Sequence, residues 1–292
     1  MRVAILGTGI LGRAVAERLH AGGQSVIVYN RTRSKTESLA QLGITVADSC
    51  EAAVNGSDAI ILLLADAPAI ESLLFSHHGP KLAGRTVIQM GTIAPADSRS
   101  FEQAVKDRGG EYCEAPVLGS VNEARSGTLL ILFGGTNHQL DRLAEVFRPL
   151  TRSPVYVGPV GKAAVFKLAL NHLIAAETTA FCLSLGLIQR EDVDVELFMQ
   201  VLRSSALFAP TYDKKLPRLL ERDYRNPNFS ARHLLKDVCL VLDEAKLGGL
   251  PTGALEAIVP LLSETINKGL GDMDYSALYE AINPDRPRTP PS

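Results

Sequence analysis

Cysteine is scarce in this 292-residue chain, and the four present, Cys50, Cys113, Cys182 and Cys239, lie far apart with no C-x-x-C. That spacing excludes a disulfide framework or a zinc site and reads as isolated, reduced thiols in a cytoplasmic protein. Charge of one sign is lacking too. The formal net charge is −2 and no long basic run occurs, which argues against nucleic acid or an anionic membrane surface as the main partner. The start, MRVAILGTGILG, has neither the long apolar region nor the small-residue cleavage site of a signal peptide. The longest apolar run of the first half, Ala59–Ala65, is too short to span a bilayer. No internal repeat is found. His77-His78 lies in a polar loop beside Gly79-Pro80, with nothing nearby at metal-ligand spacing, so no catalytic metal is expected.

Apolar residues make up 46% of the chain, enough for the core of one large domain or two ordinary ones. The first half alternates short β-like runs (Arg2–Leu6, Ser25–Tyr29, Ile44–Val46, Ala59–Leu64, Thr86–Met90, Glu111–Cys113, Leu129–Phe133, Val155–Val157) with helical patterns at Ile10–Ala21, Ser34–Leu42, Pro95–Arg108 and Asn137–Leu150. Continuous apolar runs bounded by turn residues fit parallel strands buried on both faces. The expected fold is α/β, a Rossmann-type doubly wound parallel sheet over residues 1–160. From Gly161 onward no convincing strand follows. Helical patterns cover Lys162–Gln189, Asp192–Ser204, Ala231–Leu247, Gly253–Lys268 and Tyr275–Ile282, giving an all-helical second domain over residues 161–292. Ser230 is placed to cap the third of these and Gly248-Gly249 to stop it. The Pro-rich tail from Asn283 to Ser292 is expected to be flexible.

Gly7-Thr8-Gly9-Ile10-Leu11-Gly12 is a G-x-G-x-x-G that follows a strand, opens a helix and precedes a second strand. That context is what a dinucleotide site requires. Gly7 permits the turn, Gly9 lets a pyrophosphate approach the backbone, and Gly12 lets helix and strand pack closely. The helix start then offers free N–H groups to the phosphates. The second strand ends in Asn30-Arg31-Thr32, where an NAD site usually has a carboxylate. Nothing there repels a 2′-phosphate, and Arg31 supplies a cationic fork, with Thr32, Arg33 and Lys35 adding a hydroxyl and positive charge. NADP(H) is therefore expected over NAD(H).

Lys167 stands in GKAAVFKLALNHLIAAETTAF, an otherwise almost wholly apolar stretch, with Asn171 four residues on. At helical spacing the two share a face. A lysine on a buried helix is costly unless paired or used, the alternative being a side chain that snorkels to the surface. His172 points about a quarter-turn away, and packing or a surface position fits it better than catalysis. Cys113 reads as a small buried apolar residue.

With these features the chain resembles the β-hydroxyacid dehydrogenase family over roughly Met1 to Ile282. The family includes 3-hydroxyisobutyrate dehydrogenases, tartronate semialdehyde reductases and glyoxylate/succinic semialdehyde reductases. Met90-Gly91-Thr92 looks like its cofactor loop, with Thr92 near the nicotinamide end, and Leu64 and Ala65 occupy a similar cofactor-lining position. Gly161 to Asn171 matches the G-x-x-x-x-x-K-x-x-x-N helix, which makes Lys167 the catalytic lysine and Asn171 the asparagine that helps hold substrate. Lys236-Asp237 matches a K-D pair assigned to the cofactor, and Phe229 a wall of the substrate pocket. Glu114-Ala115-Pro116-Val117-Leu118-Gly119-Ser120 looks like the substrate segment, usually D-A-P-V-S-G-G. Leu118 departs from it. The family's serine hydroxyl donates to the substrate carboxylate and Leu118 has none, which leaves the Gly119 backbone and the Ser120 hydroxyl for that task.

The resemblance implies reversible hydride transfer between NADP(H) and a small β-hydroxyacid (or ω-hydroxyacid) and its aldehyde or keto acid, with Lys167 as general acid and base. Burial disfavours the charged amine, which brings a lysine toward use near neutral pH. Excess apolar surface on the helical half, as in the family, implies a homodimer or homotetramer. Two alternatives are carried. One is an imine reductase, which shares the N-R-T pattern but commonly has Asp or Tyr where Lys167 stands. The other is a non-catalytic scaffold member, which typically lacks the lysine.

Overall fold

The computed structural model describes residues 1–77 and 79–284. His78 and the part of the expected tail beyond Pro284 lie outside them. The chain divides into two compact units, one from Met1 to Leu168 and one beginning at Ala169.

The first unit is built on β1 (Arg2–Leu6), β2 (Ser25–Tyr29), β3 (Thr45–Val46), β4 (Ala59–Leu62), β5 (Thr86–Gln89), β6 (Glu111–Glu114), β7 (Val117–Leu118), β8 (Leu130–Gly134) and β9 (Val155–Gly158). The strands lie in the order 3-2-1-4-5-6-8-7, with β9 beside β8. The run from β3 to β6 is parallel throughout. β8 is antiparallel to β6 and β7 and β9 is parallel to β8, so the expected parallel sheet carries two reversed strands, β8 and β9. Side chains alternate between the two faces, and each face buries its own core. Val3 and Ile5 of β1 join one cluster, while Ala4 and Leu6 join the other.

Helices of this unit are α1 (Ile10–Ala21), α2 (Glu37–Gln41), α3 (Cys50–Asn55), α4 (Ala67–Ile70), α5 (Pro95–Lys106), α6 (Val121–Ser126), α7 (Asn137–Arg142) and α8 (Ala144–Phe147). The single helix expected over Asn137–Leu150 is thus two short ones, parted at Leu143, whose ψ of 0° leaves the helical range. Strand order reverses between β1 and β4. In open α/β sheets the crevice beyond the carboxyl ends of such strands is where ligands bind.

α9 (Lys162–Arg190) begins in the first unit and continues into the second. It is long and apolar enough to cross a membrane by length and composition. Its Phe181, Cys182 and Leu185 are nevertheless buried in a protein core with Met199 and Leu219. α10 (Val195–Arg203), α11 (Pro210–Glu221), α12 (Ala231–Leu247), α13 (Gly253–Glu256), α14 (Ile258–Thr265) and α15 (Tyr279–Ile282) follow. Among the described residues no strand follows β9. α12 has the expected bounds. The Ser230 hydroxyl accepts from the His233 N–H at 3.3 Å, Gly248 ends the helix, and Leu234, Val238 and Leu242 bury one face of it. The helix expected over Gly253–Lys268 is interrupted, and Gly269 with φ 81° turns the chain beyond it. Asn283, assigned to the flexible tail, is 7% exposed and accepts from Arg190 Nε at 2.7 Å. The ordered fold therefore includes it.

α11 was not expected from sequence. Lys214-Lys215 and Pro217 interrupt its apolar pattern. Lys215 is buried because its Nζ meets both Asp274 oxygens, at 2.7 and 2.9 Å, and sits 4.1 Å from the Tyr275 ring centre. Burial lowers the Lys215 pKa, and the Asp274 carboxylate opposes that shift.

Candidate active site

Every cofactor residue expected in the first unit lies at the carboxyl edge of the sheet. Gly7 follows β1 with φ +100°, and a Cβ there would come 2.4 Å from the Leu63 carbonyl oxygen. A Cβ at Gly12 would lie 2.0 Å from the Gly7 oxygen. Both positions therefore require glycine. Gly9 is the opposite case: nothing stands within 4 Å of its missing Cβ, and no side chain caps the start of α1. Free N–H groups facing open space fit a dinucleotide pyrophosphate. Ile10 is half exposed at this helix start, Leu11 packs on the core, and Thr8 is buried.

The end of β2 is tied to this turn. Asn30 Oδ1 accepts from the Thr8 N–H at 3.1 Å, and Asn30 Nδ2 donates to the Thr32 carbonyl at 3.0 Å. Asn30 thus sets the loop that presents Arg31 and Thr32, both exposed. Arg33 contributes less free charge than expected, because it pairs with Asp48 at 2.6 Å. Leu64 is half buried and Ala65 exposed just beyond β4.

Thr92 and Lys167 line one pocket together with Gln89, Gly91, Ile93, Glu114, Pro116 and Ala164. Lys167 is 9% exposed, so its amine does not snorkel to the surface. Two polar residues here were not singled out from the sequence, Glu114 standing only as the first residue of the substrate segment and Gln89 only inside a strand. Glu114 is 1% exposed, its Oε2 accepts from the Ala163 N–H at 3.1 Å, and its Oε1 has no partner. Gln89, also 1% exposed, donates through Nε2 to the Gly91 carbonyl at 3.3 Å, and its Oε1 is likewise unpartnered. Burial raises the Glu114 pKa above the usual carboxylate value, against hydrogen bonds from Ser98 and the backbone at Gly161, Ala163 and Ala164. The signal in the sequence was a polar residue closing each of two buried strands. Cys113 is fully buried and its thiol pushed up by that burial, as expected of a packing residue.

The Leu118–Ser120 segment does not line this pocket. Val117 is buried in the core, which turns Leu118 to the face that Pro116 presents to the pocket. The Ser120 hydroxyl and N–H both donate to Glu123 Oε2 at 2.7 Å, a reciprocal cap on α6. Of the donors expected to stand in for the missing serine, the Ser120 hydroxyl is thus already engaged, together with the Ser120 N–H. Gly119, with φ +123°, makes the turn into that cap.

In the second unit, the Asn171 side chain donates through Nδ2 to Asp237 Oδ2 at 2.6 Å, and both residues are buried. Asp237 Oδ1 lies 2.8 Å from Lys236 Nζ. Asn171 Oδ1 is the atom of the amide left without a partner. The three residues form one polar string inside an apolar unit. Phe229 packs edge-on against Tyr275, centroids 5.8 Å apart. His172 Nδ1 is buried without a partner, and no role follows from it.

Residues 2–158 match the model for the NAD binding domain of 6-phosphogluconate dehydrogenase. Residues 161–282 match the NAD-binding domain of NADP-dependent 3-hydroxyisobutyrate dehydrogenase. The chain belongs to the β-hydroxyacid dehydrogenase family. It is 30% identical to glyoxylate/succinic semialdehyde reductase 1 of Arabidopsis thaliana, over 97% of this chain and 98% of that one. It is 27% identical to 2-hydroxy-3-oxopropionate reductase of Escherichia coli, with 97% of each chain covered. A 3-hydroxyisobutyrate dehydrogenase from Salmonella typhimurium has the same fold, with a TM-score of 0.86 at 21% identity, covering 96% of this chain and 99% of that one. An imine reductase from Myxococcus stipitatus shares it more loosely, with a TM-score of 0.68 at 21% identity, covering 97% and 100%. The chain is an oxidoreductase with a nicotinamide cofactor, acting on CH–OH groups.

Proposed function

We propose that this chain uses NADPH to reduce a small aldehyde or ketone, in the manner of its hydroxyacid and semialdehyde relatives, with Lys167 as the proton donor. The observation that carries this reading is the buried Lys167 amine in one pocket with Thr92, at the sheet edge where the glycine turn receives the dinucleotide. When bound, the nicotinamide supplies and accepts the hydride. Lys167 then has one task. As an ammonium it holds the carbonyl oxygen and delivers a proton to it as negative charge develops there. In the reverse direction the neutral amine takes the alcohol proton. Exposed Arg31 and Thr32, with no carboxylate among Asn30–Thr32, support NADPH over NADH.

Reduction of a C=N bond is the second reading. It is favoured by Leu118 and by the engaged Ser120 donors, which leave a substrate carboxylate little to bind on that segment. Exposed Leu173, Leu183 and Leu187 along α9, each at least half exposed, support burial against further copies of the chain as a homodimer or homotetramer. Four unpaired thiols support a reducing compartment, the cytoplasm.

The test is NADPH oxidation followed by absorbance over glyoxylate, succinic semialdehyde, tartronate semialdehyde, methylmalonate semialdehyde and cyclic imines, with NADH in parallel. Turnover of a carbonyl compound, faster with NADPH, is expected. Turnover of imines alone selects the second reading, and no turnover of any compound overturns both.

A further inference from the structure

Glu114 is a buried carboxylate at the end of β6, and it meets the first turn of α9 from outside that helix. Its Oε2 accepts from the Ala163 N–H at 3.1 Å. The first N–H groups of a helix have no partner within it, and negative charge is favoured there. Room for the carboxylate comes from Gly134 on the neighbouring β8. A Cβ at that position would lie 2.3 Å from Glu114 Oε2. Lys167 follows Ala163 by four residues, one turn along the same face. Glu114 and Lys167 also line the same pocket, and Glu114 Oε1 is buried without a partner.

We infer that Glu114 is a positioning residue for Lys167, fixing the first turn of α9 through Oε2 and placing a second titratable group in the pocket of the amine. An ionised Glu114 favours the ammonium form of Lys167, and a protonated one does not. Other ionisable groups around Glu114 keep a constant charge near neutrality. Tyr112 and Cys113 of β6 are both pushed up by burial and stay neutral, and the Arg99 side chain of α5 lies beside Gly161. The charge that changes in this pocket therefore belongs to Glu114 and Lys167.

The inference builds on the role proposed for Lys167, and its experiment needs no substrate. Lys167 is titrated by NMR on the full chain carrying 13C-methylated lysines, assigned with Lys167→Arg, in wild type, Glu114→Gln and Glu114→Ala. Glu114→Gln keeps an acceptor for the Ala163 N–H but removes the charge. Its Lys167 resonance is expected to titrate at lower pH than wild type by about half a unit or more. In parallel, kcat for whichever carbonyl compound is turned over is expected to fall by ~10- to 100-fold in Glu114→Ala, with KM and NADPH affinity within about threefold of wild type, and to be partly rescued in Glu114→Gln. An unchanged Lys167 titration in Glu114→Gln overturns the inference, and that variant decides the matter if Glu114→Ala does not fold. Loss of melting temperature with unchanged titration and unchanged kcat also overturns it, leaving Glu114 as a structural cap. Absence of turnover in wild type with a shifted titration sinks the proposed function and keeps the inference.

Discussion

Asn171 Nδ2 donates to Asp237 Oδ2 at 2.6 Å, and neither side chain reaches solvent to any extent. The amide that the sequence marks as the partner of Lys167 thus has one donor committed to a buried carboxylate. What it can still offer is the acceptor Oδ1 and the second hydrogen of Nδ2. Replacing Asn171 with Ala leaves Asp237 Oδ2 buried without its donor, at a cost of about 1–3 kcal/mol. Urea unfolding of Asn171→Ala should show that loss. An unchanged midpoint would mean that water or Lys236 takes over the bond and that the amide is not structural.

Arg31 is exposed on the loop that Asn30 ties to the glycine turn. A charge-assisted bond to a 2′-phosphate contributes about 1.5–3 kcal/mol. Arg31→Ala should therefore weaken NADPH binding by roughly 10- to 100-fold and NADH binding by far less. Equal losses for both cofactors, measured by fluorescence titration, would assign Arg31 to adenine stacking alone.

Leu118 shares the face of Pro116, and Ser120 gives both its donors to Glu123. Leu118→Ser restores one hydroxyl donor to this segment. The expected result is a rise in kcat/KM for succinic semialdehyde of about tenfold relative to an uncharged aldehyde of similar length, the worth of about one hydrogen bond. An equal change for both aldehydes would place substrate carboxylate recognition elsewhere.

Lys215 and Asp274 form a buried pair against Tyr275. Removing one partner strands the other charge, which costs about 3–5 kcal/mol, whereas an apolar replacement of both is far milder. Lys215→Ala should lower unfolding stability by that order, and Lys215→Met with Asp274→Leu should recover much of it. Asp274 also accepts from the Ser276 N–H and hydroxyl, at 3.1 and 2.7 Å, so recovery is expected to be incomplete. A single variant as stable as wild type would show that the pair contributes nothing net.

What was legible in the sequence is what a residue demands of its own backbone or its near neighbours. Gly7 and Gly12 mark contacts that admit no side chain. Ser230 and Gly248 bracket α12 at its true ends. Lys167 shows as a cation inside an apolar helical pattern. Glu114 showed only as the head of the substrate segment; its tie to α9 did not, because its partner at Ala163 is 49 residues away and no periodicity links them. The reversal of β8 was hidden for a related reason: an apolar strand has the same composition whichever way it runs. α11 was masked by Pro217 and by Lys215, whose burial depends on Asp274, 59 residues on. The Ser120–Glu123 cap was readable at its three-residue spacing, and it changes what Ser120 can do.

The central claim is that the Lys167 amine carries the proton in a reduction by NADPH. Its most direct test is single-turnover NADPH oxidation by Lys167→Ala, with NADPH affinity measured on the same preparation. A fall of ~10²- to 10⁴-fold in rate with affinity within about threefold of wild type is the predicted result. A rate near wild type with cofactor bound as tightly would contradict it and move the chemistry off Lys167.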